Sequence, residues 1–332
     1  MLSVRHQSSQ SLTRNIGIIA HIDAGKTSVT ERLLFNTGLT KRCGSVDTGD
    51  TVMDFLPEER ERGITITAAA ITLPWRQHKV NLIDTPGHVD FTVEVERSLR
   101  VLEGAVVVLD AAKGVQAQTL TVWKQAMRYN VSPLVFINKM DKVGADPHKV
   151  LTDIRQKLGR EPIPINWPKM NLGGNWTGEL EQLLQAPKTI EKLAEFDLKI
   201  LEAFLENQDI SRADLVTAVK SNALIPVLFG SATKNIGIPQ LLDAITDFLP
   251  PPSSKDSPTL LQALAFKVSF DHRRQQLLVF TRVYSGKLCK GMHLWNVNKG
   301  ITERATKLMR IICFCSHALR RQQACEQRAS QQ

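Results

Sequence analysis

The sequence predicts a doubly wound α/β sheet carrying an inserted subdomain, followed by a shorter antiparallel β unit. Three observations predict it. From Asn15 to Pro250, apolar runs of strand length alternate with longer stretches of helical periodicity. The segment Pro250-Pro251-Pro252-Ser253-Ser254 then breaks the pattern as a linker. Beyond it, apolar residues alternate singly along segments rich in Val, Phe and Tyr.

Taken in order, strands are expected at Ile16–Ala20, Ile64–Leu73, Val80–Ile83, Ala105–Asp110, Leu134–Ile137 and Pro226–Phe229. Helices are expected at Lys26–Thr37, Val89–Leu102, Gln116–Tyr129, Pro147–Leu158 and Pro239–Leu249. In the rear part, strands are expected at Leu264–Phe270 and Leu278–Tyr284, punctuated by Ser285-Gly286 and Lys290-Gly291. No internal repeat and no low-complexity tract interrupts the chain.

The 332 residues are enough for about two cores. No apolar run approaches the roughly 18 residues of a membrane span, so no membrane role is expected. The net charge of +9 is lopsided, with 14 Lys/Arg against 4 Asp/Glu after Pro250 and 28 against 29 before it. A basic rear part suits a polyanionic partner, although a basic solvated face has the same composition. Cys43, Cys289, Cys313, Cys315 and Cys325 are too scattered for a disulfide framework. The cluster Cys313-x-Cys315-x-His317 lacks the second ligand pair of a structural zinc site and reads as plain thiols. Residues 1–14 form a basic, Ser-containing leader without acids, the composition of a matrix-targeting segment or of a disordered one.

Four short motifs carry chemistry, and each ends a predicted strand. Ala20-His21-Ile22-Asp23-Ala24-Gly25-Lys26-Thr27 closes the first strand and opens a helix. In such a loop, backbone N–H groups and the helix N-terminus surround phosphates, Lys26 reaches the β/γ oxygens, and the Thr27 hydroxyl ligates magnesium. The glycine that usually opens such a loop is Ala20 here. Asp84-Thr85-Pro86-Gly87-His88 follows the third strand, where the acid can hold magnesium through water and the Gly87 N–H can meet a γ-phosphate. A Pro-Gly turn would explain the Pro and Gly, but not an acid one βαβ unit after a phosphate loop.

Asn138-Lys139-Met140-Asp141 follows another apolar strand. A carboxylate there can accept from both guanine N1–H and N2–H, a donor face that adenine lacks. Gly230-Ser231-Ala232 follows the last strand, with residues small enough for backbone N–H groups to approach guanine O6. Between Lys26 and Asp84 lies Arg62-Gly63-Ile64-Thr65-Ile66, whose Thr65 hydroxyl can complete a magnesium shell. Between Asp141 and Ser231 lie 89 residues, where one helix and one strand need roughly 30. An insert is therefore expected at about 160–223.

These blocks resemble those of translational GTPases of the elongation factor G type. The insert is what that type has and the elongation factor Tu type lacks. Asp47–Leu56 and Asn81–Ala126 look most like the mitochondrial branch that recycles ribosomes after termination. The resemblance is dense over Arg14–Ile154 and looser over Pro226–Leu308. It implies a P-loop GTPase fold followed by a β-barrel, GTP as substrate with Mg2+, and His88 as the catalytic group that positions water. It further implies Asp23 beside a monovalent cation, the mitochondrial ribosome and the recycling factor as partners, a monomer, and the mitochondrial matrix as location.

Pro164–Asn171 departs from the family's insert pattern, and after about Met309 the sequence no longer resembles it. The organisation expected is a leader at 1–14, a G domain at 15–250, a partial antiparallel β-barrel at 251–309 and a divergent tail at 310–332. In so short a barrel, Phe266, Val268, Phe270, Val279 and Val283 are expected not all to be covered. Two other readings are a translocating elongation factor G and a truncated GTP-binding fragment without productive ribosome function.

Overall fold

A computed structural model describes residues 12–40, 42, 44, 69–84, 92–171, 176–206, 208–221, 224–252, 260–271 and 275–309. The strands of the front part are β1 (Thr13–Ala20), β2 (Ala69–Trp75), β3 (His78–Asp84), β4 (Gly104–Asp110), β5 (Ser132–Asn138), β6 (Pro162–Pro164), β7 (Asn166–Met170), β8 (Trp176–Gln182) and β9 (Ile225–Phe229). Its helices are α1 (Lys26–Asn36), α2 (Thr92–Leu99), α3 (Ala117–Arg128), α4 (Pro147–Asp153), α5 (Pro187–Ala194), α6 (Leu198–Leu205), α7 (Arg212–Ser221) and α8 (Ile238–Phe248).

Seven strands form one sheet in the order β2-β3-β1-β4-β5-β9-β6. All neighbours run parallel except β2, which returns antiparallel beside β3. Parallel strands need crossovers, and the crossover helices cover both faces, so the inner strands are apolar without interruption. Every residue of β4, Gly-Ala-Val-Val-Val-Leu-Asp, is buried. Val106 and Val108 point into the core beneath α1 and α8, whereas Val107 and Leu109 face Trp123 of α3 and Val150 of α4. Val29, Leu33 and Leu34 fix α1 on its face of the sheet, each burial contributing about 2 kcal/mol.

The chain leaves β1 to pair on one side with β3 and on the other with β4, so the strand order reverses there. The crevice outside the carboxyl ends of β1, β3, β4, β5 and β9 is the ligand position such a sheet offers. Ala20, Asp84, Asp110, Asn138 and Phe229 are the last residues of those strands.

The differences from the sequence reading have physical causes. β1 begins at Thr13 and takes up Arg14, both assigned to the leader; Arg14 is buried and its Nη2 donates to the Thr246 carbonyl at 2.9 Å. The helix from Pro147 changes at Ile154 into a π-helical turn that ends at Gly159. Within the insert, Pro162–Pro164 adds a seventh strand to the main sheet. Two prolines hide it from a propensity reading, yet an edge strand tolerates them because only one side is paired. The remainder of the insert is the β7–β8 hairpin and three helices, α5 to α7, which place Leu193, Ile200, Leu215 and Val219 in the same core as α1.

After the linker come β10 (Gln262–Asp271), β11 (Gln276–Ser285), β12 (His293–Asn296) and β13 (Ile301–Arg304). Among the described residues they form two separate antiparallel pairs rather than a continuous barrel wall. One face of the β10–β11 hairpin is turned against the front part instead. Leu264 and Phe266 pack on the cluster containing Val95 and Leu99, and Phe280 is buried edge-on to Phe266. Arg282 pairs with Glu103 and donates to the Val101 carbonyl, while the Tyr284 hydroxyl donates to the Arg100 carbonyl at 3.0 Å. The opposite face leaves Val268, Phe270, Val279 and Val283 exposed.

Candidate functional site

The loop after β1 turns sharply into α1. Gly25 has φ 88°, and a Cβ there would run into the Asn138 side chain, so the position requires glycine on both counts. Asp23 also takes a positive φ, 63°, and is exposed. The loop closes on itself through the Ala24 N–H to the His21 carbonyl at 3.2 Å. The Ile22 N–H donates to Gln118 Oε1 of α3 at 3.3 Å. Ala20, at the usual glycine position, is buried in register with Val108, and the sheet accommodates its methyl.

Lys26 and Thr27 open α1 and are both largely buried. The Lys26 ammonium lies 2.8 Å from Asp84 Oδ1, which β3 brings level with β1. A buried cation and a carboxylate therefore meet at the N-terminus of an 11-residue helix whose first turn also carries the buried Thr27. That donor set fits the phosphates and Mg2+ of a nucleotide: the cation and helix terminus suit the anion, and the hydroxyl and carboxylate suit a hard metal.

Asn138 ties three loops together. Its Nδ2 donates to the Ala24 carbonyl at 2.9 Å, and its Oδ1 accepts from the Ala232 N–H at 2.9 Å. Ala232 therefore directs its N–H to Asn138 in this structure, not outward to a base. The Met140 N–H donates to the Gly230 carbonyl at 3.2 Å, and Ser231 Oγ accepts from the Lys234 N–H. Lys139, with φ 64°, reaches back to the Asp23 carbonyl and lies 3.3 Å from Asp110 Oδ2. Asp141 is exposed beside them. The candidate residues Ala20–Thr27, Asp84, Asn138–Asp141 and Ser231–Ala232 thus share one edge of the sheet. Thr65, Thr85, Pro86, Gly87 and His88 lie outside the described residues, as does the Cys313–His317 cluster.

Three residues at this edge escaped the motif reading. Asp110 ends β4, where burial pushes its carboxyl pKa up; the Ala112 and Lys113 N–H groups and the Lys139 ammonium outweigh that and leave it below the ordinary value. Its signal was available, as an acid closing an otherwise apolar strand. Arg32 of α1 donates from Nε to the Ala232 carbonyl and from Nη2 to the Thr233 carbonyl, each at 2.8 Å. Asn166 bonds the Phe229 backbone, and no local pattern announces it. His21 is buried with neither ring nitrogen hydrogen-bonded, and burial, then Lys113, holds its pKa below the ordinary value. Among the described residues, no group of three or more His, Cys, Asp or Glu could by itself hold a metal, and no helix is long and apolar enough to cross a membrane.

Residues 11–251 match the family described as the elongation factor Tu GTP binding domain. The chain belongs to that family. Beyond the GTP-binding domain the similarity continues to elongation factor G-type proteins. The chain is 43% identical to elongation factor G 2 of Syntrophus aciditrophicus over 92% of its own length and 52% of that protein. It is 44% identical to the mitochondrial ribosome-releasing factor 2 of Mus musculus, and 45% to that of Bos taurus, over 89% of its length and 44% of theirs. A crystal structure of a Thermus thermophilus protein superposes with a TM-score of 0.78 at 29% identity, covering 92% of this chain and 50% of that one. The chain spans about half the length of the relatives it matches.

Proposed function

We propose that this chain is the GTP-binding and GTP-hydrolysing part of a translation factor that separates mitochondrial ribosomes from mRNA after termination, together with the recycling factor. The observation that carries the GTPase reading is Asn138, whose amide joins the phosphate loop at Ala24 to the base loop at Ala232. The functional units are then a G domain at about 15–250 with its insert at 160–223, and a second unit at 251–309.

In this reading Lys26 neutralises the β/γ oxygens, and the Ala20–Thr27 loop with the α1 N-terminus binds the phosphates. Thr27, Thr65 and Asp84 (the last through water) would hold Mg2+, which would supply charge neutralisation on the β/γ-phosphate oxygens. Asp141 accepts from guanine N1–H and N2–H, with Ser231 and Ala232 closing the base pocket. Thr85, Pro86 and Gly87 belong to the same nucleotide-binding block, the Gly87 N–H serving the γ-phosphate, and His88 positions the attacking water.

Recycling in the mitochondrial matrix is supported by the Asp47–Leu56 block, the basic leader and the names of the mouse and cow relatives. The bacterial elongation factor G 2 is as similar, which keeps translocation as the second reading. The deciding experiment supplies mitochondrial ribosomes after termination and follows GTP turnover and light scattering, with and without the recycling factor. The recycling reading expects turnover and subunit splitting that depend on that factor and are lost in His88→Ala. Turnover coupled to mRNA movement supports translocation; binding without stimulated turnover supports a fragment.

A further inference from the structure

We infer that Asn166, in the insert, is a positioning residue for guanine-nucleotide binding, acting on the base loop through the backbone of Phe229. The inference rests on the nucleotide-binding reading above. It begins at the edge of the main sheet. β6 pairs with β9 only as far as Pro164, and the Ile165 N–H adds one more bond, to the Val227 carbonyl at 2.8 Å. The chain then turns away into β7, so the next pair of edge groups on β9, the N–H and C=O of Phe229, has no backbone partner across that edge among the described residues. Both groups are buried, and leaving them unmade would be costly.

The Asn166 amide replaces the missing strand residue. Its Oδ1 accepts from the Phe229 N–H at 2.7 Å, its Nδ2 donates to the Phe229 carbonyl at 3.2 Å, and the residue is fully buried. Trp167 adds an edge contact to the Phe229 ring at 5.2 Å. Phe229 leads directly into Gly230-Ser231-Ala232. There the Gly230 carbonyl accepts from Met140 and the Ala232 N–H donates to Asn138, which in turn holds Ala24 of the phosphate loop.

The loop has no slack to absorb a shift of Phe229. A side chain at Gly230 would strike the Ile236 carbonyl and the Phe136 ring. The same hairpin also meets the far end of the loop, where Lys234 lies over the Trp176 ring at 5.9 Å. Thus the insert hairpin sets where the base loop stands.

The test is the dissociation rate of the fluorescent nucleotide mant-GDP from the 332-residue chain, wild type against Asn166→Ala and Asn166→Asp. Asn166→Ala strands two buried backbone groups and is expected to speed dissociation by about tenfold. Asn166→Asp keeps the acceptor for the Phe229 N–H but sets a carboxylate against the Phe229 carbonyl; protonated, it again offers a donor. Its dissociation, relative to wild type at each pH, is therefore expected to slow between about pH 8 and about pH 6, because burial raises a carboxyl pKa. A purely structural role would lower the nucleotide-free melting temperature without this relative pH profile. If both variants release mant-GDP at the wild-type rate, the inference is overturned, and if Asn166→Ala does not fold, Asn166→Asp decides. Failure of the wild type to retain mant-GDP would instead overturn the nucleotide-binding reading, and this inference with it.

Discussion

Replacing Asn138 by alanine removes one side chain and disconnects three loops. The residue is 2% exposed, so water cannot replace what is lost. The Ala24 carbonyl loses its donor at 2.9 Å, and the Ala232 N–H loses its acceptor at 2.9 Å. Each stranded buried group costs about 1–3 kcal/mol, so the pair together should cost about 2–6 kcal/mol. The lower half of that range is the expectation, because Arg32 still holds the Ala232 carbonyl and Met140 still holds Gly230. Urea unfolding of the nucleotide-free chain measures the stability loss, and mant-GDP titration measures the effect on the site. Asn138→Asp is the informative control: it keeps the acceptor for Ala232 but sets a buried carboxylate against the Ala24 carbonyl, so it should cost at least as much as Asn138→Ala at about pH 8 and less as the carboxyl protonates. A loss below about 0.5 kcal/mol for Asn138→Ala, with unchanged nucleotide affinity, would refute the reasoning that this amide is the tie between the loops.

Asp141→Asn should weaken GTP relative to xanthosine triphosphate, since xanthine presents a carbonyl where guanine presents an amine; competitive titration of both checks it. Arg282→Ala should free the β10–β11 hairpin, because Arg282 and Glu103 are about nine-tenths buried and breaking such a pair costs about 3 kcal/mol. Asn15 still bonds Glu103 at 3.0 Å, which limits the loss, and protease cutting near 262–285 is the readout. His21 has a folded pKa below the ordinary 6.5, so its contribution to stability is present above about pH 6.5 and is lost as pH falls below it. Melting of wild type should therefore fall more steeply between about pH 7 and about pH 5 than melting of His21→Gln.

What was legible in the sequence was local. The Gly25-Lys26-Thr27 turn, the acid closing β3 and the apolar run of β4 each state their chemistry within a few residues. The unbroken run Val106-Val107-Val108-Leu109 announces a strand buried on both faces, and the structure divides it between two cores. What was not legible depends on partners distant along the chain. Asn166 finds Phe229 63 residues away, and Arg32 finds Ala232 200 residues away. Neither Asn nor Arg carries a local pattern that marks such a role. β6 was hidden by prolines that only an edge position allows. The docking of one β10–β11 face on Val95 and Leu99 is a tertiary contact that alternation alone cannot foresee, as is the separation of the rear strands into two pairs among the described residues. The five apolar positions expected not all to be covered divide accordingly: Phe266 is partly buried, while Val268, Phe270, Val279 and Val283 are exposed.

The edge holding Lys26, Asp84, Asn138 and Asp141 is proposed to bind guanine nucleotide with magnesium. Competition against mant-GDP on the intact chain tests it most directly, with GTP, GDP and ATP each titrated in Mg2+ and again after chelation by EDTA. GTP and GDP should displace the probe, ATP should fail at about a hundredfold higher concentration, and chelation should weaken GTP. Displacement by ATP as readily as by GTP, or no nucleotide binding at all, would contradict the account.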